Sequence, residues 1–246
     1  MPADVTARSG TLPDGTVIYA IGDLHGRSDL LARMHGLILA DGERRRARRR
    51  MVVYLGDYVS RGPDSRGLID MLLDRPLPGF EQVALRGNHE DLILRFLDGE
   101  LGAGGHWLDY GGIQALASYG IDWTGDQTAA SLGRLREVFA AAFPAAHLAF
   151  FRSLKVFHVE GGYLFVHAGL KPGIPLAAQE TRDMMWIRSS FLGSEADFGR
   201  LIVHGHCVSR EPDVRANRIG IDTGAYRTGH LTCVVCEGDR RTFLQT

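Results

Sequence analysis

The stretch Val17-Ile18-Tyr19-Ala20-Ile21-Gly22-Asp23-Leu24-His25-Gly26 carries the pattern on which the rest of the chain turns. A short apolar run rich in β-branched residues stops at a glycine, which reads as a buried strand ending in a tight turn. Just past the stop stand a carboxylate and an imidazole two residues apart. In extended chain both leave the same face and can grip one ion. The same arrangement recurs along the sequence. Met51 to Leu55 runs into Gly56-Asp57-Tyr58-Val59-Ser60-Arg61-Gly62, and Gln82 to Leu85 runs through Arg86 into Gly87-Asn88-His89-Glu90. Tyr163 to Val166 is followed by His167-Ala168-Gly169, and Leu201 to Val203 by His204-Gly205-His206. Ile219 to Ile221 and Leu231 to Cys236 read as two further strands.

Between the early strands lie helical stripes: Leu30, Leu31, Met34, Leu37 and Ile38; Leu68, Ile69, Leu72 and Leu73; Leu92, Ile93, Phe96 and Leu97. Strands alternating with helices, then strands in close succession, predict an α/β fold of mixed sheets in layers. The segment from about Gly99 to Leu154 reads as helical and without a strand, a cap over one face of a single domain spanning residues 1–246. The chain of 246 residues is 45% hydrophobic and 23% charged, which suits an ordinary globular core and excludes disordered or collagen-like classes. A formal net charge of −1 leaves no global basic field for nucleic acid. Three cysteines make no disulfide framework and fit a reducing compartment. No run approaches the ~18 apolar residues of a membrane span, and Met1 to Gly10 has no apolar leader core, so a cytoplasmic protein is expected. Six arginines between Glu43 and Arg50 read as a solvated helix end rather than a docking patch for a polyanion.

Any one of the five strand-end groups alone would pass for turn chemistry or a satisfied core histidine. Five at the edge where open α/β sheets place ligands are another matter, because turns need no imidazoles. Carboxylate, imidazole and amide donors without a thiolate pair suit manganese, iron or zinc better than calcium. A carboxylate such as Asp57 has two oxygens and can bridge two ions, and a pair about 3.5–4 Å apart clamps both oxygens of an in-line displacement.

In their order and spacing, GDLHG, GDYVSRG, GNHE, HAG and HGH resemble the phosphoprotein phosphatase family of dinuclear metallophosphatases, and most of all its bacterial serine/threonine protein phosphatases. The motifs span Gly22 to His206. The resemblance implies a metallophosphatase-like layered sandwich of mixed β-sheets flanked by helices. It implies one metal on Asp23, His25 and Asp57 and a second on Asp57, Asn88, His167 and His206, manganese being expected and iron or zinc the alternatives. A hydroxide between the ions would attack phosphorus directly, His89 would protonate the leaving oxygen, and Arg61 and Arg188 would hold the phosphoryl oxygens. The chemistry agrees: a phosphomonoester dianion needs cationic clamping, and a positioned acid is worth roughly 10²–10⁴-fold against a serine alkoxide. His204 shares a face with His206, so the two could exchange roles; the family pattern prefers His206. Asp222 and Glu90 are read as supporting groups near the metals.

The chain departs from that pattern at two places. The family usually has Asp at position 60, where it orients and charges the acid histidine; here stands Ser60, which accepts a hydrogen bond but cannot stabilise an imidazolium by charge. Relatives that hydrolyse dinucleoside polyphosphates often lack that Asp as well, and their leaving group needs less protonation. Cys207 stands where threonine is common and reads as a small buried residue rather than a redox-sensitive neighbour of the metals. Cys233 and Cys236, three apart in a strand, face opposite sides and make no zinc site.

Against the departure at position 60, Trp107 to Gly112, Ser118 to Gly120, Pro144 to Leu154 and Tyr226 to Leu231 resemble the protein phosphatases. The expected function is therefore dephosphorylation of phosphoserine and phosphothreonine in proteins, with a phosphoprotein or phosphopeptide as partner and neither nucleic acid nor membrane. The alternative is a dinucleoside polyphosphate hydrolase. A phosphate-binding module with decayed catalysis stands apart from both, and the intact ligand set argues against it.

Overall fold

Alternate residues of the first strand part company. Val17, Tyr19 and Ile21 join one hydrophobic cluster, and Ile18 and Ala20 join another. That two-residue period is what a strand buried on both faces requires. The computed structural model describes residues 10–246. Ten strands form two mixed sheets: β1 (Thr16–Ile21), β2 (Arg49–Tyr54), β3 (Glu81–Ala84), β4 (Phe157–Glu160), β5 (Tyr163–Val166), β6 (Leu201–His204), β7 (Asp213–Val214), β8 (Arg218–Gly220), β9 (Thr232–Glu237) and β10 (Arg240–Gln245). Their orders are β10-β9-β1-β2-β3 and β4-β5-β6-β8-β7. Within them β1, β2 and β3 run parallel, as do β5, β6 and β8, so the carboxyl ends of each trio share one edge.

The inner faces meet through Ile18, Val53, Leu85, Phe165, Val203 and Val234. The outer face of the first sheet is covered by α1 (Ser28–Arg44), α2 (Ser65–Asp74) and α3 (Asn88–Leu97). The outer face of the second carries Leu164, Val166 and Ile202 against Met184, Ile187 and Phe191. The expected α/β sandwich of mixed sheets flanked by helices is therefore the observed one.

The segment expected to be helical holds α4 (Leu101–Trp107), a π-turn (Leu108–Gly112), α5 (Ile113–Ser118), α6 (Ala129–Ala142) and α7 (Ala145–Ser153), and no strand. Trp107, Leu135, Phe139 and Phe151 are fully buried and join the cluster that α1–α3 build on the first sheet. All seven expected strands are present. Three more had escaped: β4, β7 and β10. β4 and β5 are a hairpin across Gly161-Gly162, and β10 lies at the sheet edge with five of its six residues exposed. Edge strands face solvent and carry no apolar run to betray them.

Cys233 and Cys236 belong to clusters on opposite faces of the first sheet, as their spacing requires. In the arginine run, Arg45 pairs with Asp41 and Glu237, and Arg49 with Glu81 and Glu160. These are local neutralising contacts of a helix end entering β2. No helix among the described residues is long and apolar enough to cross a membrane. The reading of Met1 to Gly10 falls, but for Gly10, outside those residues.

Candidate active site

Every motif loop leaves the shared edge, and the backbone ties the loops to one another. Leu24 and His25 N–H both donate to Asp57 O at 3.1 and 2.8 Å, and Gly205 N–H donates to His167 O at 2.8 Å. Glu90 is buried beneath them and accepts from the backbone N–H of Asp57, Tyr58 and Gly87, each at 2.9 Å. It thus acts as the supporting group the sequence suggested. A Cβ on Gly205 would collide with the Asp23 carboxylate, so the chain passes there only as glycine.

The cost of this assembly is visible in the backbone. Among the described residues, the non-glycine positions with positive φ are His25, Asp57, Ser60, Arg61 and His206, at 43°, 50°, 74°, 66° and 62°. Each such residue costs roughly 1–3 kcal/mol, and strain of that kind concentrates at functional sites. All five lie in the motif loops.

Asp57 is the hub. One donor atom each from His25, Asp57 and His89 lies within 4.8 Å of the others, and the same holds for Asp57, His167 and His206; Asp57 is common to both groups. Its two oxygens are divided between them: Oδ2 is 3.6 Å from His25 Nε2 and 3.8 Å from His89 Nε2, while Oδ1 is 3.5 Å from His167 Nε2. Asn88 Oδ1 lies 3.0 Å from His167 Nε2. Asp23 is buried alongside with both oxygens on the His206 amide at 3.1 Å, outside the two tight groups. His204 turns away, its Nδ1 on Gly205 O at 3.0 Å and its ring against Phe191.

The donor set fits divalent cations. His167 Nδ1 donates to Leu55 O at 2.8 Å and His25 Nδ1 to Val59 O at 2.9 Å. A neutral imidazole that donates from Nδ1 carries a lone pair on Nε2. The inward face of His167 meets the oxygens of Asn88 and Asp57, and nitrogen and oxygen ligand atoms converging in this way suit a bound cation. Burial, then the neighbouring Asp222 and Asp57 carboxylates, raise Asp23 well above its usual range, and His206 Nε2 and Asp222 Oδ2 are buried without partners. Burial also holds His25 neutral, and pushes His206 down to about 2 and His89 to about 4.

Around this centre lies a cleft of about 590 Å³ lined by Arg61, Asp109, Tyr110, Gln114, Arg188 and Tyr226, among others. Arg61 Nη1 is 3.0 Å from His25 Nε2 and Nη2 is 3.3 Å from His89 Nε2, with the guanidinium 5.0 Å above the Tyr226 ring. Arg188 faces the same cleft from between two short helices, Thr181–Trp186 and Ser189–Leu192. Ser60 is fully buried and its Oγ accepts from Trp107 Nε1 at 2.9 Å, while His89 Nδ1 is buried with no partner. Cys207 is half-buried, and burial raises its thiol above the usual range, which disfavours a reactive thiolate. Tyr110, Gln114, Trp186 and Tyr226 had no individual role in the sequence reading; lone aromatic residues carry no signal of which cleft they line.

This arrangement belongs to a known class. The model of the calcineurin-like phosphoesterases matches residues 16–228, and the chain is a member of that family, an enzyme class that hydrolyses phosphoesters. Over 156 residues it is 30% identical to the symmetrical bis(5'-nucleosyl)-tetraphosphatase of Aromatoleum aromaticum, an alignment covering 63% of this chain and 45% of that protein. The chain thus matches less than half the length of that relative. Among solved structures it resembles a presumptive diadenosine tetraphosphatase (TM-score 0.63, 19% identity, 97% of this chain and 98% of that one). It also resembles a cold-active protein-tyrosine phosphatase of a psychrophilic Shewanella (TM-score 0.54, 16% identity, 96% and 83%). At such identities the likeness is one of fold.

Proposed function

We propose that the chain hydrolyses dinucleoside polyphosphates of the diadenosine tetraphosphate type, the reading set second on sequence alone. The observation that carries it is the bare Nδ1 of His89: Ser60 Oγ is engaged by Trp107, and no side chain pairs with that nitrogen, Asp57 lying on the Nε2 side of the ring. An imidazole without such a partner, pushed down to about 4 by burial, is a poor reservoir of the proton a serine alkoxide would demand. A nucleotide phosphate departs with little protonation. The sequence relative named above favours the same substrate class.

In this reading Asp23, His25 and Asp57 hold one divalent ion, and Asp57, Asn88, His167 and His206 the second, with manganese the expected metal. Two ions so held supply charge neutralisation at phosphorus and a more acidic water for in-line attack. Arg61 and Arg188 grip the phosphoryl oxygens from the cleft, each offering paired N–H donors. His89 hydrogen-bonds to the departing phosphate oxygen and hands it a proton where one is needed. The P–O bond to water forms as the anhydride P–O bond breaks.

Removal of phosphate from phosphoserine or phosphothreonine is the second reading, favoured by the likeness of the Trp107 to Gly112 and Tyr226 to Leu231 segments to protein phosphatases. Manganese-reconstituted protein given diadenosine tetraphosphate and a phosphoserine peptide side by side decides between them. The expected result is kcat/KM at least tenfold higher on the dinucleotide; the reverse order overturns the proposal in favour of the peptide.

A further inference from the structure

The cleft over the centre is not the only opening around Tyr110. On its other side lies a second cleft of about 630 Å³, lined by Tyr110, Trp186, Asp91, Arg95, His106 and Arg182 among others. Tyr110 lines both, and Trp186 stands beside it with ring centroids 5.9 Å apart at 56°. This pair forms a lip over the reacting region: Tyr110 is 6.2 Å from the His89 ring and Trp186 is 6.3 Å from that of His206. We propose that Tyr110 and Trp186 are the stacking platform for a nucleobase, and that the second cleft receives the nucleoside end of the departing nucleotide; this rests on the dinucleotide reading above.

Three observations carry the assignment. Tyr110 is 44% exposed, an aromatic face left in water at the mouth of a charged site. It is held there by a built device, the π-turn Leu108–Gly112, where Gly111 has a φ of 95° that other residues rarely adopt. Arg61 locks that turn: its N–H donates to Gly111 O at 3.0 Å and its Nε to Tyr110 O at 3.4 Å. The aromatic face is thereby tied to the residue that grips phosphate.

The two clefts hold the same formal balance, two arginines and one aspartate each, and differ in how those charges are placed. The first presents Arg61 and Arg188 toward the centre, as a polyphosphate requires. In the second, Arg95 is already bound to Asp91 and Glu100, so Arg182 and His106 are joined by acceptors beside an aromatic wall. That suits the ribose and base of a nucleoside better than another phosphate. Leaving from the His89 side carries the product over the lip into this second cleft. Stacking on an aromatic side chain changes affinity roughly 5- to 150-fold per base and tolerates any base.

The test compares Tyr110→Leu, Trp186→Leu and Tyr110→Phe on diadenosine tetraphosphate and on inorganic tripolyphosphate, which has no base. The leucine variants are expected to raise KM for the dinucleotide tenfold or more beyond any change on tripolyphosphate, and Tyr110→Phe, which keeps the ring, to restore it. Equal changes on the two substrates, in a protein whose wild type turns over the dinucleotide, overturn the platform and leave the function standing. A wild type inert toward the dinucleotide but active on phosphoserine peptide overturns the function, and the platform with it.

Discussion

Trp107 Nε1 donates a 2.9 Å hydrogen bond to Ser60 Oγ, joining the last turn of a cap helix to a loop of the metal-binding edge. Both residues are wholly buried. Ser60 has a φ of 74°, so the bond pins a strained residue directly before Arg61. Through it, the cap is coupled to the guanidinium that faces His25 and His89.

Trp107→Phe keeps most of the packing volume and removes the donor, leaving a buried hydroxyl unsatisfied. The loss is expected to be about 1–3 kcal/mol of stability, read as a lower midpoint in urea denaturation. A fall in kcat should accompany it because Arg61 loses its support. A variant as stable and active as the parent would show that the cap does not brace the loop.

Ser60→Asp restores the carboxylate that the family usually carries at this position, in a site where His89 Nδ1 has no partner. It should raise the His89 pKa and increase turnover of phosphoserine peptide by a larger factor than turnover of diadenosine tetraphosphate. Kinetics on the two substrates check this; an equal factor on both would mean that position 60 does not serve the leaving group.

His89→Ala should leave about two metal ions per chain and cut kcat by roughly 10²-fold on substrates with poor leaving groups. The cut should be smaller on the dinucleotide, whose leaving group needs less help. Metal analysis together with single-turnover rates distinguishes this from loss of the ions.

Asp57→Asn should weaken both ions together, since each carboxylate oxygen faces a different histidine group. Titration with manganese, followed by elemental analysis, reads the stoichiometry. Retention of one tightly held ion would contradict a bridging carboxylate.

His35 lies on α1, ten residues past His25, bonded through Nε2 to Tyr54 Oη at 2.9 Å. Burial pushes its imidazole down to about 4. The unfolded chain, titrating near 6.5, then binds the extra proton first as pH falls. Stability from this group is complete above about pH 6.5 and drains as pH drops toward 4, by about 2 kcal/mol at pH 5. His35→Gln should flatten that part of the profile between pH 7 and 5 in urea unfolding. An unchanged slope would remove His35 from the acid response.

The strand-end motifs were legible because buried parallel strands need unbroken β-branched runs, and a polar group placed after each run breaks the pattern conspicuously. That alone put Asp57, His167 and the His204-Gly205-His206 loop at one edge, and the family resemblance supplied which of them would share an ion. The edge strand β10 could not be read in this way, since nothing apolar marks a strand whose outer side meets water. Nor could the choice between His204 and His206. Both leave β6 two residues apart, and it is the positive φ of His206, with its amide on Asp23, that turns one ring inward while Phe191 receives the other.

What this sequence determined by itself was the sheet framework, the order of the loops and the inventory of donors, because hydrophobic period and turn residues are local properties. Only the folded arrangement decided how those donors are shared. Asp57 divides its oxygens between two histidine groups, Trp107 claims the serine that replaces an acidic partner, and Tyr110 is left bare between two clefts. Each of these depends on side chains brought together from segments dozens of residues apart, and their closeness is settled by packing and loop strain that no local pattern records.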